Sequence, residues 1–542
     1  MTKNCPTHRK RPRPPIPVID ELLMVKTEQK LWPWAMFAGL LALYLFLPTK
    51  NYFWDGVDFA QTIEDASRLN ASLIHPNHLF YNPFGYLIYR SFQAIGFNFR
   101  ALEVLQITNA ALSVLSAYIF FRILRATLKS VYLSYVLTLL FALSATWWKF
   151  STDADSYIPS VLFLIIGSYF LMPDRKARPV VVALAHTAAM IFHQMAIFFF
   201  PVCVVGILLQ TRARSTKRRI VLLIQYGATA FLLTILTFYY SFYLQTGHAD
   251  FQTFFRWMTS LSPEPGHTFS VWGNFVYTVN GHVKLFTSGR ILFLRGSLNP
   301  LTIALLALLL ALVILLLLKV ARNFGELKSF LTTALKKDER LRSLRILCVV
   351  WIASFLVFQY FFVPQHTFYR LFYLPAILLL VGSYLVQYEA RPTHKRRYRA
   401  ALLVAAIAVS NLTFYILPLA QVKNYPPLAV ALKMNQAWSQ GTVVYFASRN
   451  SDNSLVRYFN PSATWIEVNR ETMEKEMQGL QSSGNSLWME TSLLDLYQAT
   501  PEGKRWLETH TIRRPEYEFI DDKYRLQFYQ IKPESFTSGP SQ

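Results

Sequence analysis

Residues 179–210 read PVVVALAHTAAMIFHQMAIFFFPVCVVGILLQ, a run without one Asp, Glu, Lys or Arg. A single helix of that length would reach about 48 Å, well past the roughly 30 Å hydrocarbon core of a bilayer. Arg178 stands just before the run and Arg212 soon after it. Short loops rich in Lys and Arg stay on one side of a membrane. Two short spans broken near His193-Gln194 put both arginines on that side, whereas one long span separates them. The break therefore sets the parity of everything around it.

Outward from that pair (179–193 and 195–210), further apolar stretches fall at 31–49, 101–121, 131–148, 156–172, 220–243, 299–318, 346–363, 367–388 and 400–419. Eleven spans follow, several short enough or polar enough to suit helices buried among helices. Lys and Arg collect before Leu31 and in 122–130, 175–178, 211–219, 319–345 and 391–399, which together hold 31 of the 54 basic residues. Eleven spans with a cytoplasmic N-terminus put all six segments on the cytoplasmic side and the C-terminus outside. The 542-residue composition agrees: 53% is apolar and 16% charged, too few charges for a soluble domain. Mean hydropathy is +0.27.

The net charge of +23 is thus a topology signal. The remainder after Val422 holds 13 basic and 14 acidic residues, so no basic footprint for nucleic acid is left over. Residues 1–30 are basic and Pro-rich and read as a disordered cytoplasmic tail. No small-residue cleavage site follows the first apolar run, so the first span is a retained anchor. Cys5, Cys203 and Cys348 are too dispersed for a disulfide framework or a cysteine metal site. A multi-pass plasma membrane protein, of a bacterial inner membrane, is expected.

The remaining chemistry collects on the outer face. The loop 50–100 opens with NYFWDGVDFA, in which Asp55 and Asp58 share a face if the segment is helical. Two such carboxylates hold a cation or drive one pKa upward, which suits a general base. His75 and His78 follow in HPNH, ahead of an amphipathic stretch, 79–97, that reads as a helix lying in the interface. A second outer turn, WWKFSTDADSY, carries Lys149 and the D-x-D pair Asp153 and Asp155, oxygen ligands suited to Mg²⁺ or Mn²⁺. The alternative for these acids is an interfacial turn and a helix cap. His186 and His193 share a helix face, for function or for helix–helix hydrogen bonding. His366 and Arg370, with Arg290 and Arg295, are candidates for holding a phosphate.

In combination, NYFWDGVDFA…HPNHLFYNPFGYL and the acidic second loop resemble the GT-C superfamily of integral-membrane glycosyltransferases, most nearly its protein O-mannosyltransferase-like branch. The resemblance covers residues 31–420. It implies an all-α polytopic domain that moves a sugar (hexosyl or pentosyl) from a polyprenyl-phosphate donor to an acceptor hydroxyl on a protein, lipid or polysaccharide, with inversion. It implies Asp55 as base; Asp58 or His78, in the same loop, is expected to orient it. His75 and His193 are further site candidates, Asp153 and Asp155 a metal position, and Arg370, His366, Arg295 and Lys149 the phosphate binders. A lipid-linked glycan flippase, an O-antigen-type glycan ligase and a non-enzymatic scaffold remain as alternatives.

From Lys423 the pattern changes. Strands are expected at 442–448, 463–469, 486–492 and as a pair within 517–532, with helices at 471–481 and 493–509. Residues 423–542 therefore read as a small extracytoplasmic α/β domain, structural or acceptor-binding.

Overall fold

The computed structural model describes residues 32–259, 269–289, 299–321, 339–389, 394–438, 440–448, 451–469, 471–473, 486–520 and 525–532. The N-terminal tail with Cys5, and the phosphate candidates Arg290 and Arg295, lie outside them. The chain is a multi-pass membrane protein. Among the described residues, six helices are long and apolar enough to cross a bilayer: Ala101–Leu128, Thr216–Thr246, Pro300–Lys319, Leu341–Phe362, Phe368–Gln387 and Arg399–Leu419. The helix pair Val131–Leu143 and Ala145–Ser151, bent by 64°, is apolar enough to make a seventh when counted as one span. Shorter apolar helices occupy Pro33–Phe46, Tyr157–Leu171, Pro179–Phe192 and Gln194–Gln210. Together these coincide with the eleven apolar segments of the sequence.

Two local breaks shape the bundle. At His193 the backbone is extended (φ −159°, ψ 122°), and its Nδ1 accepts the Met195 N–H at 3.1 Å, capping the next turn as it ends the last. At Ser144 the extended backbone (φ −64°, ψ 142°) redirects the chain into the outer turn, its Oγ donating to the Phe141 carbonyl. Helix Tyr157–Leu171 is buried nearly all round, and Trp147 packs on Phe141 with ring centroids 4.1 Å apart in the surrounding core. Pro300–Lys319 sits at the other extreme, with few of its side chains buried among the described residues. His186 keeps the plain role: it contacts the Tyr226 hydroxyl at 2.8 Å and the Ala196 carbonyl at 2.9 Å, tying helices together.

The first outer loop holds two helices, Trp54–Asp65 and Tyr81–Ala94, where the sequence suggested them. Helix Trp54–Asp65 begins directly against the second outer turn. A Cβ at Gly56 would lie 2.2 Å from the Ala154 carbonyl oxygen, so only glycine permits this approach.

The C-terminal region is a mixed α/β domain. Its strands are β1 (Val443–Phe446), β2 (Thr464–Glu467), β3 (Leu487–Glu490), β4 (Thr511–Arg513), β5 (Phe519–Ile520), β6 (Arg525–Leu526) and β7 (Phe528–Ile531). The main sheet runs β2-β1-β3-β7-β4, and β5-β6 form a separate ribbon. β1 pairs in parallel with β2 and β3, the crossover to β2 running through helix Ser451–Phe459; β7 is antiparallel to β3 and β4. The helix expected over 493–509 is two, Thr491–Gln498 and Pro501–His510, because Thr500 caps a new helix opened by Pro501. The one expected over 471–481 lies mostly outside the described residues. Helix Pro426–Ala437 joins the domain to the last span.

A polar clasp fixes this domain over the first outer loop, on the same side as Asp55. Arg100 donates to Glu64 at 3.2 and 2.6 Å and to the Tyr458 carbonyl at 2.8 Å, and its guanidinium stacks 3.7 Å from the Tyr458 ring centroid. The Tyr458 hydroxyl donates to Glu64 at 2.8 Å and accepts the Leu102 N–H at 3.2 Å.

Candidate active site

Asp55 is in the first turn of helix Trp54–Asp65, and Asp58 stands one turn further on. Three polar side chains hold the second outer turn against it. Asn109, inside helix Ala101–Leu128, donates to the carbonyls of Asp153 (2.8 Å) and Asp155 (2.7 Å). Gln106 donates to the carbonyls of Thr49 (2.9 Å) and Thr152 (2.8 Å). The Asp153 carboxylate accepts the Phe53 N–H at 3.0 Å and its neighbour Ala154's at 2.9 Å, and it is paired with Lys149 one turn back. Asp153 thus ties the start of the Asp55 helix to the second loop, and its charge is met by a buried ammonium.

Asp155 is fully buried. Its Oδ1 accepts the Ser156 N–H at 2.6 Å and the Ser156 hydroxyl at 3.3 Å, while Oδ2 has no hydrogen-bond partner among the described residues. The Ser156 hydroxyl also meets Nδ1 of His78 at 2.8 Å. Around it, the rings of His75 and His78 stack at 5.0 Å and that of His193 meets His78 edge-on at 4.6 Å. Tyr157 lies 4.9 Å from His193, and its hydroxyl is hydrogen-bonded to that of Tyr369.

Burial pushes Asp55 up to about 7, with repulsion from Asp58 and then Asp153 adding to it. Burial raises Asp155 well above the ordinary carboxylate range; Asp55 and Asp153 raise it further, against the opposing pull of Lys149 and the Ser156 N–H. Burial lowers His75 to about 4. His78 is also lowered, first by burial and then by His193 and His75. The two histidines are accordingly neutral at pH 7. A half-buried carboxylate poised near neutrality is the pattern expected of a general base.

Beside this cluster opens a cavity of about 600 Å³, walled by Phe53, Lys149, Phe150, Lys284, Ser288 and His366 among others. Lys149 faces both the carboxylates and this space. His366 packs against Phe368 at 4.9 Å. Arg370 does not line the cavity: it is fully buried and donates to the carbonyls of His366 (2.8 Å) and Pro364 (2.9 Å). A Cβ at Gly281 would lie 2.3 Å from its guanidinium carbon, so a glycine makes room for it.

Asp55, Asp58, Lys149, Asp153, Asp155, His75, His78 and His193 are thereby brought into one cluster, with His366 in the adjoining wall. Among the described residues no group of three or more His, Cys, Asp or Glu side chains is arranged to hold a metal ion. The donor set fits Mg²⁺ or Mn²⁺ poorly, because Asp153 is committed to Lys149 and two backbone N–H groups. Sequence reasoning passed over Gln106 and Asn109, although two polar residues three apart inside an apolar span are a recognisable signal. Tyr157 and Tyr369 carried no such mark.

Neither a protein-family model nor any curated protein matches the sequence. Solved structures do. ArnT from Cupriavidus metallidurans bound to undecaprenyl phosphate is similar with a TM-score of 0.57 at 12% identity, over 93% of this chain and 98% of that one. The apo state of the same protein gives 0.58 at 12%, over 94% and 99%. Such identity speaks to architecture alone. Near-full coverage in both directions shows that this chain shares the overall fold of ArnT.

Proposed function

We propose that the protein is a glycosyltransferase that takes its sugar from a polyprenyl-phosphate carrier, with Asp55 as the general base. The observation that carries the reading is the half-buried Asp55, raised towards neutrality, beside a cavity walled by Lys149, Lys284 and His366. The overall fold shared with ArnT and the undecaprenyl phosphate bound in that structure support it.

An acceptor hydroxyl is a weak nucleophile at neutral pH. As its oxygen attacks the anomeric carbon, Asp55 takes the proton, the bond from that carbon to the carrier phosphate breaks, and the phosphate leaves with the electron pair. One displacement inverts the anomeric configuration. Lys149, Lys284 and His366 face the developing phosphate charge. Asp155 is a positioning residue, held by Ser156 and, through it, His78. No step is routed through a metal. The side carrying the cluster is the extracytoplasmic one, with a cytoplasmic N-terminus, by the distribution of Lys and Arg.

The test is Asp55→Asn, assayed for release of polyprenyl phosphate from its sugar conjugate. Loss of release in a variant that still inserts and binds undecaprenyl phosphate supports the assignment. Retained turnover removes Asp55 as the base, and is the result expected of a ligase relying on Arg and His alone.

A further inference from the structure

Helix Trp54–Asp65 joins two cavities. Phe53, the residue before it, walls the donor cavity, and at its far end Gln61, Glu64 and Asp65 wall a groove of about 200 Å³. The C-terminal domain contributes Pro461 and Trp465 to the same groove, and the ion pair of Arg100 with Glu64 lies in its wall. Asp55 stands at the near end of the helix, and Asp65 is about 15 Å further along the axis.

The helix buries one side, made of Gly56, Val57, Phe59, Ala60 and Ile63. Its other side carries Trp54, Asp58, Gln61 and Asp65 at helical spacing, one stripe that starts beside Asp55 and ends in the groove. A face bearing two carboxylates and an amide is turned to water, so Trp54, which is 54% exposed, lies open there and is no lipid anchor. The side chains of Gln61 and Asp65 have no hydrogen bond or ion pair among the described residues. Trp465 is half-buried and keeps part of its surface in the groove. Exposed aromatic surface takes the C–H face of a ligand, while Gln61 donates and accepts and Asp65 accepts hydrogen bonds from hydroxyls. Within the groove Glu64 and Asp65 balance Arg100 and Arg457, so it has no net charge with which to select a polycation or polyanion. A neutral polyhydroxylated ligand, a carbohydrate, matches that combination.

We infer that the acceptor is a carbohydrate chain laid along this helix, with its reacting hydroxyl at Asp55, the adjoining ring on Trp54, and a further sugar held by Gln61, Asp65 and Trp465 in the groove. The inference rests on Asp55 as the base and adds the acceptor's class and path. It gives the C-terminal domain, fixed over the first outer loop by the Arg100 clasp, a share in acceptor binding.

The test is capture of the full chain, in mild detergent, on an array of immobilised bacterial cell-envelope oligosaccharides, with an array of peptides alongside. Undecaprenyl phosphate binding is followed separately by native mass spectrometry. The expected result is capture by a subset of the glycans and by none of the peptides. Gln61→Ala and Asp65→Ala, both at the helix surface, should each weaken that capture about three- to tenfold, and Trp54→Ala about tenfold. All three variants should bind undecaprenyl phosphate as the parent does. Absence of glycan capture by the parent chain, capture undiminished in all three variants, or capture by peptides in place of glycans overturns the proposal. Failure of the donor reading looks different: the parent chain would then not bind undecaprenyl phosphate, while glycan capture that depends on Gln61 and Asp65 would still establish the groove as a carbohydrate site.

Discussion

Exchanging Asp55 for Asn should stabilise the protein while silencing it, and the two effects have separate pH signatures. The carboxyl is shifted from an ordinary 3.8 to about 7. Each pKa unit corresponds to about 1.36 kcal/mol, so holding Asp55 ionised in the folded protein costs at most about 4 kcal/mol. Its carboxyl keeps some contact with water, which brings the expected cost to about 1–3 kcal/mol. Because the folded-state pKa is the higher one, the penalty is absent below about pH 4, builds as pH rises towards 7, and is complete above it. Asn, neutral and of the same shape, carries no such penalty. Asp55→Asn should therefore melt above the parent protein near pH 8.5 and together with it near pH 4. Turnover should fall by about 10²–10⁴, the usual worth of a general base. The parent's own rate should decline as pH drops through about 7, where Asp55 takes up its proton. A variant that melts lower than the parent near pH 8.5, or turns over within about tenfold of it, refutes the reasoning.

Four other substitutions probe the scaffold and the cavity wall. Gly56→Ala forces a methyl against the Ala154 carbonyl; it should cost about 1–3 kcal/mol in a thermal melt and lower turnover about 10²-fold by displacing Asp55. Arg370→Met strips donors from the carbonyls of Pro364 and His366. It should destabilise by about 2–4 kcal/mol and leave undecaprenyl phosphate affinity of the folded protein unchanged, whereas Lys149→Met should weaken that affinity at least about tenfold; a selective affinity loss in Arg370→Met instead would return Arg370 to the phosphate site. Tyr458→Phe removes the hydroxyl shared by Glu64 and the Leu102 N–H. It should cost about 1–2 kcal/mol and speed proteolytic release of the C-terminal domain.

The spans were legible because lipid imposes a one-dimensional rule: about twenty apolar residues, with basic loops on one side. The break at His193 was readable because parity demanded it. Asp55, Asp155, His75 and His78 stood out as polar groups in the outer loops. What a single sequence does not encode locally is which cation goes where. Lys149 and Arg370 look alike as charges beside aromatic residues, yet one faces the cavity and the other is consumed by carbonyls of its own turn, a distinction made by Gly281 from a distant helix. The clasp of Arg100 on Glu64 and Tyr458 joins residues more than 350 positions apart and was equally hidden.

The central claim, a polyprenyl-phosphate sugar as donor, is tested most directly by mass spectrometry of lipids that co-purify with the protein in mild detergent. The account predicts a polyprenyl monophosphate carrying one sugar, retained in Asp55→Asn and lost in Lys149→Met. A diphosphate-linked oligosaccharide in its place would contradict it.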